Sequence, residues 1–148
     1  MNEGVYYHQL DAKNRMRIPA KIREEFKDGY SFVIAPGNCL AIISREESEK
    51  RRQQFSTISP YDPKALDLAR YISTWTCSPE EDNQGRIILP QHIREKVHIN
   101  KNVVTVKTFY GVELWAEEEW NKKVAEIESE SIDSIFEKFN DMLAKYNG

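Results

Sequence analysis

Two aspartate–arginine pairs, Asp11 with Arg15 and Asp82 with Arg86, share one spacing and one setting. An aspartate placed four residues before an arginine on a tight turn can accept from the turn amides or fix the arginine's rotamer. An arginine held in that way can fork onto guanine O6 and N7, or onto a phosphate. Taken singly, such a pair is more often a structural clamp than a reader. The surroundings favour the reader for Arg15. From Asp11 to Arg23 the only acid is Asp11, against Lys13, Arg15, Arg17, Lys21 and Arg23, a balance of +4. Lys13, Arg17, Lys21, Arg23 and Arg94 are then candidates for sequence-blind phosphate contacts. Arg23 and Arg94 each stand beside a glutamate, so ion pairing is an equal reading for them. Arg86 is the weaker reader, because Ile87-Ile88 follows it where Met16-Arg17 follows Arg15.

Catalysis has no comparable constellation. His8, His92 and His98 fall in no H-E-x-x-H spacing, and neither phosphate-cradling glycine motif occurs. Glu117, Glu118 and Glu119 read as a solvated helix face. Cys39 and Cys77 have no metal-ligand spacing and read as reduced thiols in a cytosolic protein. The expectation is a protein that is not an enzyme and holds no metal and no cofactor. No apolar run is long enough to span a bilayer and no secretory leader is visible, so the expected location is the cytoplasm, with no membrane partner.

A net charge of −3 over 148 residues argues mildly against nucleic acid, but the mean hides a division. From Glu113 to Gly148 there are ten acids and four bases, which leaves residues 1–112 at +3. Local field, not the mean, decides where a phosphate backbone can dock.

The charged pairs belong to a longer repeat. D-x-x-x-R-x-x-[IL]-P-x-x-I-R-E occurs at Asp11 and again 71 residues later at Asp82. Ile22, Arg23 and Glu24 match Ile93, Arg94 and Glu95, and Phe32-Val33 matches Val103-Val104 at the same offset. After one inserted residue, Leu40–Ile43 aligns with Val112–Trp115. Two copies are too few for a solenoid, so the expectation is a pseudo-twofold pair burying one core.

Each copy reads β-β-α-β-β. An extended stretch, Val5–Leu10 or Tyr71–Cys77, precedes the turn. Gly85 supplies a residue free to take positive φ, and Asn14 is the next best type for that backbone. Pro19 and Pro90 sit where a helix opens, and Ile22 with Phe26, or Ile93 with Val97, share a helix face. A hairpin closes each unit, through Pro36-Gly37-Asn38 in copy one and Tyr110-Gly111 in copy two. The predicted division is 1–58 for the first half-domain with a trailing basic amphipathic helix, 59–70 for a linker with a helical segment, 71–130 for the second half-domain, and 131–148 for an acidic helical tail. Trp120, Val124, Ile127, Ile135, Phe136, Phe139 and Leu143 mark the apolar positions of one or two helices after Glu117.

YHQLDAKNRMRIPAKIRE at 7–24 and DNQGRIILPQHIRE at 82–95, with Glu113-Leu114-Trp115 and Trp120, resemble the paired signatures of the MraZ family, within the SpoVT/AbrB-like superfamily. The resemblance covers the chain up to about Trp120. It implies an α+β fold in which two tandem AbrB-like half-domains form a swapped-hairpin β-barrel with flanking helices. It implies a ring-shaped homo-oligomer, octamer or dodecamer, that binds double-stranded DNA at direct repeats upstream of the division and cell-wall gene cluster and represses it, a nucleoid-associated role. It assigns DNA binding to the motifs at Asp11 and Arg15 and at Asp82 and Arg86. Asn14 departs from the glycine common at that position, and Lys107–Tyr110 replaces a glycine-containing loop. Two other readings stand beside this one. The first is an AbrB-like antitoxin whose tail wraps a toxin, and the second is a partner-binding ring without a DNA role.

Overall fold

The computed structural model describes residues 4–109 and 111–147. It is an α+β protein with antiparallel strand pairing throughout. The strands are β1 (Val5–Gln9), β2 (Arg15–Arg17), β3 (Tyr30–Ala35), β4 (Cys39–Ser44), β5 (Thr76–Cys77), β6 (Arg86–Ile88), β7 (Asn102–Lys107) and β8 (Val112–Ala116). The helices are α1 (Ala20–Arg23), α2 (Arg45–Phe55), α3 (Pro63–Thr74), α4 (Gln91–Lys96), α5 (Glu117–Glu128) and α6 (Ile132–Asn147). The chain divides into two compact units, one running to Glu117 and the other starting at Glu118.

The first unit holds a six-stranded sheet in the order β1-β7-β8-β4-β3-β5 and a separate two-stranded ribbon, β2-β6. The repeat explains this order. β2 pairs with β6, its counterpart in the other copy, and Met16 faces Ile87, the residue 71 positions on. β4 pairs with its counterpart β8. β1 pairs with β7 and β5 with β3, so each copy lends its first strand to the other copy's hairpin. Neither copy satisfies its backbone alone, and unpaired N–H and C=O groups would be costly in a core.

The matched positions of the repeat fill that core. Met16 with Ile87, Ile18 with Leu89, Ile22 with Ile93, and Phe32 with Val103 are all buried in one cluster. Pro19 and Pro90 each precede the first helical residue, one place earlier than a first-turn proline. Their carbonyls accept from Ile22 and Arg23 at 2.9 Å, and from Ile93 and Arg94 at 3.1 and 3.0 Å, and at this N-cap place no helical bond calls on the N–H that proline lacks. In the first hairpin Gly37 has φ +97°, and an added Cβ would stand 2.7 Å from Cη2 of Trp115, so glycine is required there twice over.

Two sequence expectations need correction. The stretch Tyr71–Cys77 is not extended throughout, because Tyr71–Thr74 closes α3 and only Thr76–Cys77 is strand. Asp62 caps that helix by accepting from Ala65 N at 3.1 Å, Pro63 starts it, and Leu66, Ala69 and Ile72 form a half-buried stripe at helical spacing. The aromatic and β-branched content of the segment lost to cap and periodicity. The helix α2 is not amphipathic. It buries no side chain, Phe55 is exposed, and it is laced instead by Lys50–Glu46, Arg51–Glu47 and Arg52–Glu49 pairs. In the second hairpin Tyr110 lies outside the described residues. Thr108 N donates to Gly111 O across that turn at 2.8 Å. The second unit comprises α6 and all of α5 but its first residue. Ile132, Phe136, Met142 and Tyr146 are exposed along α6.

Candidate nucleic-acid interface

The two Asp-x-x-x-Arg segments adopt one geometry. Asp11 Oδ1 accepts from the backbone N–H of Lys13 and of Arg15, each at 2.9 Å, and Oδ2 accepts from Arg15 Nε at 2.8 Å. Asp82 Oδ1 accepts from the N–H of Gln84 at 2.8 Å and of Arg86 at 2.9 Å, and Oδ2 from Arg86 Nε at 2.8 Å. The backbone closes each turn as well, with Asp11 N donating to Arg15 O at 2.9 Å and Asp82 N to Arg86 O at 2.8 Å. The reversal needs a left-handed residue before the arginine. Asn14 (φ 60°) and Gly85 (φ 74°) supply it, so Asn14 serves where glycine would.

Each aspartate therefore both locks its turn and orients its arginine. Among the described residues, the side chains of Arg15 and Arg86 hydrogen-bond through Nε alone, and they remain 23% and 27% exposed. This is how a guanidinium is held in place while its outer edge can still fork onto an acceptor.

The ribbon brings the two motifs together. Arg15 pairs with Ile88 and Arg17 with Arg86, while Met16 and Ile87 between them are buried. Side chains alternate along a strand, so Arg15, Arg17, Arg86 and Ile88 share the outward face. The sequence left Arg86 weak because Ile88 stands where Arg17 does. Across the ribbon, however, Arg17 is the residue beside Arg86, and Ile88 is beside Arg15. One cavity of about 450 Å³ is lined by Arg15, Arg86 and Ile88 together with Glu80, Glu81 and Asp82.

The other candidates sit around this face. Lys13 is exposed in the first turn and Lys21 is exposed on α1. Arg17 Nη2 reaches Gln84 Oε1 at 3.4 Å. Arg23 is ion-paired, donating from Nε to Glu81 Oε1 at 3.1 Å and from Nη2 to Oε2. Arg94 turns inward and donates from Nε to Leu89 O at 3.1 Å. Glu81, Tyr30 and Gln84 escaped the sequence reading, since their roles come from pairing between copies. Among the described residues no cluster of histidine, cysteine and carboxylate side chains could hold a metal, and no helix is long and apolar enough to cross a membrane.

The backbone N–H of Arg86 and its neighbours hold the Asp82 carboxyl down to about 2, and that of Arg15 holds Asp11 below its ordinary value. A depressed carboxyl stabilises the turn fully above the unfolded value of about 4 and loses that contribution as pH falls through the folded value. In an NMR titration the Asp82 carboxyl carbon is expected to move near pH 2, with the Arg86 Nε–H signal weakening in step. Titration of both aspartates near pH 4 would show that the clamps are not formed.

Duplicated β-β-α-β-β halves that exchange strands, with a cationic ribbon between twin turns, define the class of protein. A family described as "MraZ protein, putative antitoxin-like" matches the chain at residues 1–70 and 75–143. The chain belongs to the MraZ family. It is 35% identical over 146 residues to the transcriptional regulator MraZ of Caldanaerobacter subterraneus subsp. tengcongensis, covering 97% of each chain. The protein of that name from Mycoplasmopsis pulmonis is 35% identical over 132 residues, covering 89% of this chain and 90% of its own. That from Clostridium beijerinckii is 34% identical over 143 residues, covering 94% and 96%.

Proposed function

We propose that this chain is a sequence-specific DNA-binding transcriptional regulator, a repressor of the division and cell-wall gene cluster, acting in the cytoplasm at the nucleoid. The observation that carries the reading is the outward face of the β2–β6 ribbon, where Arg15, Arg17 and Arg86 stand together and two aspartates hold two of them by Nε. A two-stranded ribbon fits the major groove, where a forked guanidinium distinguishes guanine. The aspartates would be repelled by phosphate, so their part is to position. Lys13 and Lys21 supply backbone contacts.

The strands of the half-domains at 1–58 and 71–130 close as a swapped-hairpin barrel, a reading supported by the single core that joins ribbon and sheet. One ribbon binds weakly. A ring of eight or twelve chains presents many ribbons to consecutive direct repeats, and avidity then adds orders of magnitude without a new contact. The exposed apolar side chains of α6 favour a second reading, in which the tail holds a protein partner as an antitoxin or an assembly module would.

The test is binding to a direct-repeat promoter fragment and to scrambled DNA over a salt series, for wild type and Arg15→Ala. Tight, selective, salt-sensitive binding that falls at least about fivefold in the variant supports the ribbon reader. Weak binding to both fragments, unchanged in a folded variant, makes Arg15 a clamp and leaves the partner reading.

A further inference from the structure

We infer that Arg23 is a positioning residue that masks Glu81, keeping this carboxylate from competing with DNA for the arginines of the ribbon. The inference rests on the DNA-binding reading above.

It begins with a mismatch between the copies. Phe32 and Val103 are equivalent, and they pair with Cys77 and His8, so Cys77 stands where His8 does. From His8 the chain reaches its motif aspartate in three residues, whereas from Cys77 it takes five. Copy two thus carries two additional residues, and Glu80-Glu81 directly precedes Asp82 where Gln9-Leu10 precedes Asp11.

This places acid beside the binding face. Glu80 and Glu81 line the same cavity as Arg15 and Arg86. A free carboxylate there would be attracted to the groups that must meet phosphate. It is not free. Arg23 Nε donates to Glu81 Oε1 at 3.1 Å, Arg23 Nη2 donates to Oε2, and Tyr30 OH donates to Oε1 at 3.0 Å. All three donors come from copy one and engage a loop of copy two. The bidentate fork fixes the carboxylate's direction as well as offsetting its charge. The Arg23 guanidinium also lies 3.6 Å from where a Cβ on Gly85 would stand, so it packs against the second turn itself. Among the described residues the other end of the ribbon has no such device. Arg94, the counterpart of Arg23, bonds Leu89 O, and leucine occupies the place of Glu81 before Asp11.

The mask makes opposite predictions for its two members. Binding of the intact oligomer to the direct-repeat and scrambled fragments is measured for wild type, Arg23→Ala, Glu81→Gln and the double variant over a salt series, with melting curves for each. Arg23→Ala is expected to bind the direct repeat roughly five- to tenfold more weakly at low salt, a deficit that shrinks as salt screens it. Glu81→Gln is expected to bind about two- to fivefold more tightly, because it removes an acid and frees a guanidinium. The double variant returns to near the wild-type value. Loss of structure cannot produce this pattern, since both single variants break the same ion pair.

A direct phosphate contact by Arg23 overturns the mask. It would show as Arg23→Ala and the double variant binding equally weakly, with no recovery on removing the Glu81 charge. Weakened binding by Glu81→Gln overturns it too. Wild-type selectivity with an unaffected Arg23→Ala overturns the mask alone, whereas a wild type that prefers neither fragment overturns the DNA reading and the mask with it.

Discussion

Changing Arg15 and Arg86 to alanine together is expected to remove the preference for a direct-repeat fragment and to weaken binding to it by roughly a hundredfold or more. A bidentate contact to guanine contributes about 1–3 kcal/mol of discrimination, and each 1.4 kcal/mol is a factor of ten. The two arginines line one cavity, so their effects need not add. The alanine variant also does something a lost contact does not. It leaves Asp11 and Asp82 without their Nε partners, their charge met only by the turn amides. Adding Asp11→Asn and Asp82→Asn should therefore recover part of the salt-dependent, sequence-blind affinity and none of the selectivity. Arg15→Lys should keep much of the former and lose the latter, because an ammonium cannot fork. Fluorescence anisotropy on the two fragments reads both quantities. A folded double-alanine variant that still prefers the direct repeat would remove these arginines from recognition.

The second large effect is on stability. Ile87 is fully buried at the centre of the ribbon, facing Met16 from the other copy. Ile87→Ala is expected to cost about 2–5 kcal/mol through lost burial and the cavity left behind. For a chain of this size that lowers Tm by roughly 5–20 °C. Because copies exchange strands, the loss should be felt by both halves in one transition. Melting followed by hydrogen exchange at Val33 and Val104, one residue in each copy's hairpin, tests this. Early opening of one hairpin while the other stays protected would show that the halves are independent.

Much of this architecture was written in the repeat. The constant offset of 71 from Asp11 to Val33 paired the core residues correctly, and the turn chemistry of Asn14 and Gly85 could be read from type alone. What the repeat could not say was whether like strands pair within a copy or between copies, since either choice satisfies the same hydrophobic pattern. For that reason Arg17 of the other copy, which stands beside Arg86 across the ribbon, cannot be found from the spacing along one strand. Glu81 was invisible for a similar reason, as its three donors lie 51 and 58 residues away in sequence. Tyr71–Thr74 was misread more simply, because local composition favoured strand while a cap at Asp62 and an apolar stripe favoured helix.

Strand exchange also bears on how the protein is made. β1 pairs with β7 across about a hundred residues, Val5 opposite Val106, and β2 must wait for β6. At the usual ~5–20 residues per second of synthesis, the first half leaves the ribosome several seconds before its partner strands exist. During that interval its extended segments are open edges, the kind that invite pairing with a neighbouring nascent chain. Arg15, Arg17, Lys13 and Lys21 crowd the waiting segment, and like charge keeps two such segments apart. Cations that suit a phosphate backbone thus also oppose pairing between two unfinished halves.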